Sequence, residues 1–107
     1  MKMFYGGMFM PKEKLREEGI LYPIKLEYYK LNEEENFQNN YGIEIIKTSY
    51  IENKSIIEKN KITNITKEEN KINELLETLK KNEVTPISME DIIEDIMGKN
   101  INLVLQN

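Results

Sequence analysis

The spacing of apolar residues changes near Thr66, and that change constrains the fold more than any other feature of the chain. Before it, Ile20, Tyr22, Ile24, Leu26 and Tyr28 recur at every second position, the period of a strand with one buried face. After it, Ile72, Leu75, Leu76 and Leu79 fall at i, i+3, i+4 and i+7, the stripe of an amphipathic helix. Thr66 and Glu69 have capping-box spacing at its start, and Pro86 sets its end near Asn82. Strands in succession followed by helices in succession predict an α+β fold. The expected form is an antiparallel sheet of about three strands, covered on one face by two C-terminal helices.

Two more segments carry a strand signal: one from Tyr41 through Ile43 and Ile45 to Ile51, and a returning one from Ile56 to Ile65. Glu52-Asn53-Lys54 between them predicts a turn, because Asn tolerates positive φ. Ile56 and Ile57 are adjacent and Ile62 and Ile65 follow irregularly, which predicts a bulge or a twisted two-sided ribbon. Polar Asn32 to Asn40 reads as a surface loop, and Pro23, with no amide donor, predicts that the first strand lies at a sheet edge or pairs little at that point. A second helix is expected from Met89 to Met97. Ser88 and Asp91 have capping spacing, Ile87 and Ile92 the spacing of a hydrophobic staple, and Gly98 suits a left-handed stop. Pro11 to Glu18 predicts a short helix ended by Gly19. Met1 to Met10 is expected to dock at a sheet edge, and Ile101 to Leu105 to form a short strand or docked extension. With 107 residues, a single domain is expected. Sixteen Ile and no Ala mean that β-branched side chains supply most of its core.

Composition narrows the chemistry. The chain has no Cys, which excludes disulfides, thiolate metal sites and thiol nucleophiles and fits a cytoplasmic protein. It has no His, the usual general acid or base near neutrality, and Ser88 has no base to activate it. Gly6-Gly7 lacks the lysine and hydroxyl of a phosphate loop. No enzyme is expected, and no catalytic residue or cofactor is assigned. Glu90, Asp91, Glu94 and Asp95 form two i, i+4 carboxylate pairs of the kind that hold hard cations. Acidic residues are also favoured in a helix's first turn, so no metal is assigned. Pro11 and the charged run Lys12 to Glu18 interrupt the apolar N-terminus, so neither a signal peptide nor a membrane span is expected.

The functional expectation is a regulatory or adaptor role through protein contacts. Met3, Phe4, Tyr5, Met8 and Phe9 are side chains that adapt well to a partner, and Glu90 and Glu94 present an acidic helix face. Contributed across a two-fold axis, the arm would instead build a homodimer. The alternative is a DNA-binding accessory or regulator using a basic hairpin that carries Lys54, Lys59, Lys61 and Lys67. Glu52 and Glu58 interrupt that run, no Arg lies within it, and the net charge is −4.

Tyr41-Gly42-Ile43-Glu44-Ile45, Asn82-Glu83-Val84-Thr85-Pro86-Ile87 and Asp91-Ile92-Ile93-Glu94-Asp95 resemble an uncharacterised family of small proteins from low-GC Gram-positive bacteria. The resemblance covers residues 20 to 97, implies no particular activity and carries over no catalytic residue.

Overall fold

A computed structural model describes residues 1–98. In chain order the elements are β1 (Lys2–Met10), α1 (Lys12–Leu15) running into a 3-10 turn (Arg16–Glu18), β2 (Ile24–Glu35), β3 (Gln38–Ile51), β4 (Lys54–Thr66), α2 (Glu69–Lys81) and α3 (Met89–Met97). The fold is α+β. Its sheet has four strands in the order β1-β2-β3-β4, each antiparallel to its neighbour.

The strand that the sequence reading did not count is the N-terminal arm. It pairs along β2 within the same chain, from Lys2 opposite Leu31 to Met10 opposite Ile24. A bulge at Tyr5 interrupts its alternation, which hides the strand period. With β1 on its far side, β2 is an internal strand, so of the two expectations from Pro23 the sheet edge fails and the limited pairing at that point holds. That proline stands just before the strand, where no ladder amide is required, and its carbonyl accepts the Tyr50 N–H at 3.1 Å.

The expected loop at 32–40 is also strand. β2 and β3 remain paired out to Glu35 and Gln38, and Asn36 and Phe37 make a two-residue turn with φ of 52° and 63°. Positive φ at both central positions is the turn that matches strand twist. At the β3–β4 turn, positive φ falls on Glu52 (54°) rather than Asn53. The bulge expected in β4 is present. Tyr41 pairs with Thr66 but Ile43 with Ile62, and Asn64 takes φ 56°. There the β4 backbone passes so close to Gly42 that a Cβ would lie 2.3 Å from the Ile62 carbonyl oxygen.

One face of the sheet, here the inner face, carries the core. Leu26, Tyr28, Ile43 and Ile45 are fully buried on it against Ile72, Leu76 and Leu79 of α2 and Met89 and Ile93 of α3. Polar contacts fix the helices there. Tyr28 donates to the Val84 carbonyl at 2.8 Å, Asn60 to the Pro86 carbonyl at 3.3 Å, and Lys30 to Glu69 at 2.9 Å. α2 ends with Val84 N–H bonded to the Leu79 carbonyl (3.0 Å) and Glu83 N–H to that of Lys80 (3.1 Å), leaving Glu83 at φ 54°. This is a Schellman closure with Glu at the position Gly usually fills.

The expected caps differ in detail. Thr66 Oγ1 accepts from Glu68 N–H at 3.1 Å and α2 starts after Glu68, so the Thr66–Glu69 box does not form. Ser88 makes no cap bond and pairs with Thr85 Oγ1 at 3.2 Å, while Ile87 is 83% exposed, so the staple does not close either. Gly98 has φ 71° and ψ −157°, outside the left-handed helical region, whereas Gly19 (φ 78°, ψ 12°) is a left-handed stop as expected. The expected strand at Ile101 to Leu105 lies outside the described residues.

Candidate functional site

Alternation along four paired strands gives the sheet a second, outer face, and no helix of the described residues covers it. Register assigns to it Phe4, Gly7 and Phe9 of β1, Lys25, Glu27 and Tyr29 of β2, Glu44, Ile46, Thr48 and Tyr50 of β3, and Ile57, Lys59 and Lys61 of β4. Phe4, Phe9 and Ile57 are 57%, 59% and 62% exposed. Large apolar side chains gathered on one uncovered surface are the feature that marks a contact site, whereas scattered ones are not.

The aromatic rings are ordered by one another. Phe4 meets Tyr29 edge-on at 5.5 Å, and Phe9 lies 6.3 Å from Tyr50. Lys2 sits over the Tyr29 ring at 4.4 Å and reaches Glu44 at 2.7 Å. The Tyr29 hydroxyl donates to Glu27 at 2.7 Å, and that bond, with burial and the nearby carboxylates, raises its pKa. Lys25 lies 3.5 Å from Glu27, whose charge raises the ammonium pKa. Between Phe4 and Phe9 the strand carries only Gly7, and a hollow of about 410 Å³ opens there, lined also by Met8, Lys25, Leu26 and Glu27.

The residues nominated from sequence divide across the molecule. Of the arm, Phe4 and Phe9 point to the outer face. The bulge turns Tyr5 toward α2, where its hydroxyl donates to Glu77; that bond raises its pKa, and Met8 packs against the core. Met3, opposite Lys30, lies toward the helices and is exposed. Glu90 is exposed and Glu94 half-buried on α3, on the other side of the sheet, so the arm and the acidic helix do not form one surface.

The basic hairpin does not gather either. Lys54 begins β4 beside the turn and Lys67 follows its far end, about 43 Å apart along an extended strand, with Lys67 bonded to Gln38 at 2.9 Å. Lys59 and Lys61 share the outer face, and neither meets a carboxylate within ion-pair distance among the described residues. Thus Phe4 and Phe9, nominated for protein contacts, share a surface with Lys59 and Lys61, nominated for nucleic acid. Sequence reading missed Tyr29 and Gly7. The period of two places Tyr29 beside Lys25 and Glu27, but nothing in the sequence shows that this side stays uncovered.

A second cleft, of about 270 Å³, lies under α1 and is lined by Lys14, Lys47, Glu18 and Glu83 among others. Its lysines already meet carboxylates, Lys14 with Glu83 at 3.3 Å and Lys47 with Glu58 at 3.7 Å, so it offers an anionic ligand little unspent positive charge. Among the described residues, no three Asp or Glu side chains gather closely enough to hold a metal ion, and no helix is long and apolar enough to cross a membrane.

A model described as a family of unknown function, DUF6514, matches residues 9–99, and the chain belongs to that family. No curated protein and no solved structure matches it.

Proposed function

We propose that this member of the family is a non-catalytic cytoplasmic adaptor or regulatory protein that works by docking another protein on the outer face of its sheet. The observation that carries the reading is the exposure of Phe4, Phe9 and Ile57 on one surface that no described helix covers. Aromatic anchors of this kind contribute most of the affinity in protein interfaces. The experiment is capture of partners by the full chain, tagged at its C-terminus so that β1 stays free, from the cells that make it. Phe4→Ser with Phe9→Ser abolishes capture, whereas Glu90→Lys with Glu94→Lys on the opposite side leaves it. Partners retained by the first variant contradict the proposal.

Lys59 and Lys61, on the same face of the sheet as Phe4, Phe9, Tyr29 and Tyr50, favour one second reading, in which that face binds nucleic acid by charge and stacking. It predicts a salt-sensitive mobility shift that Lys59→Glu with Lys61→Glu removes.

A further inference from the structure

The outer face has two unlike ends. At β1, Phe4 and Phe9 flank the hollow above Gly7, where no side chain fits because a Cβ would lie 2.8 Å from the Leu26 carbonyl oxygen. Gly7 therefore leaves an open, shallow depression between two exposed rings, wide enough to seat an apolar side chain against them. At β4, Lys59 and Lys61 project together without a counter-ion among the described residues, whereas Lys2 and Lys25 are held by Glu44 and Glu27. Pairing of those two carboxylates leaves two net positive charges at one edge of the face. Three strand spacings, about 14 Å, separate β1 from β4.

We infer that the outer face takes an extended acidic protein segment, with one apolar side chain in the Phe4–Gly7–Phe9 hollow and carboxylates at Lys59 and Lys61. An extended chain advances about 3.3 Å per residue, so anchor and carboxylates stand about four residues apart. The inference rests on the reading of this face as a protein-docking surface and adds its partner's chemistry.

Two other occupants fit less well. A nucleic-acid strand carries charge at every nucleotide, whereas the middle of the face, where Glu27 and Glu44 are matched by Lys25 and Lys2, offers it no net positive charge. The central ring, Tyr29, is packed by Phe4 at its edge and covered by Lys2, which takes a stacking surface from a base. A second copy joining strand to strand at β1 would meet the bulge at Tyr5, an irregularity that blunts sheet edges against such pairing.

The test uses the full chain and a fluorescent synthetic peptide bearing tryptophan and, about four residues later, two glutamates. Anisotropy reports binding that weakens about tenfold or more in Phe4→Ser with Phe9→Ser, and likewise in Lys59→Glu with Lys61→Glu. The same peptide with lysines in place of the glutamates binds the Lys59→Glu, Lys61→Glu protein and not the natural one. Far-ultraviolet circular dichroism verifies that each variant is folded. Binding that ignores the lysine reversals, or stronger binding of oligothymidylate than of the peptide, overturns the inference. If partners from the cell depend on Phe4 and Phe9 but not on Lys59 and Lys61, the docking surface stands and its acidic partner falls. If they depend on neither pair, both fall.

Discussion

The two faces of one sheet differ in what covers them. On the inner face, Leu26, Tyr28, Ile43 and Ile45 lie beneath two helices and are fully buried. On the outer face, reached by the alternate residues of the same strands, Phe4, Phe9 and Ile57 remain in water. Had fold stability alone shaped the sequence, the outer positions would be polar, as the uncovered face of an antiparallel sheet usually is. The difference separates side chains that hold the fold from side chains that its packing leaves exposed.

That separation breaks most readily by truncation on each face. Leu76→Ala, beneath the sheet, costs about 2–5 kcal/mol of stability. Phe9→Ser costs less than about 1 kcal/mol. At about 4–8 °C per kcal/mol for a domain of this size, thermal melting resolves the two without ambiguity. Equal losses would mean that the outer face is structural.

A smaller effect sharpens the inner half. Burial, and secondarily the charge of Glu83, raise the Tyr28 pKa far above its ordinary 10.0. The unfolded chain loses this proton near pH 10 while the folded one keeps it, so Tyr28 stabilises the fold fully below that pH and progressively less above it. Tyr28→Phe leaves the Val84 carbonyl without its partner, at about 1–3 kcal/mol near neutrality, and flattens the loss of stability on the alkaline side. Denaturant titrations at pH values on either side of 10 check both. Tyr5 and Tyr29, raised mainly by hydrogen bonds to Glu77 and Glu27, shift the alkaline limb in the same direction.

The inner face was the more legible in sequence because packing leaves a period behind. The stripe from Ile72 to Leu79 and the alternation at Ile24, Leu26 and Tyr28 each record what they are buried against. Elements that bury less leave less trace. The ends of β2 and β3 run out past the core with exposed polar residues on both sides, and their turn is Asn-Phe rather than Asn-Gly. β1 lost its signal to Gly6, Gly7 and the bulge at Tyr5. Cap spacing alone does not make a cap, since Thr66 and Ser88 have it yet engage Glu68 N–H and the Thr85 hydroxyl instead. For the site, sequence supplied Phe4, Phe9, Lys59 and Lys61 but not their sharing of one face, which depends on three successive registers, β1 with β2, β2 with β3 and β3 with β4, that no local pattern encodes.

The most direct test is hydroxyl-radical footprinting of the full chain, free and in the complex isolated from its own cells through a C-terminal tag. Phe4, Phe9 and Tyr50 are expected to oxidise readily in the free protein and to be protected in the complex. Protection confined to Ile87 and Ile96 on the helical side, with Phe4 and Phe9 still oxidised, would contradict the account.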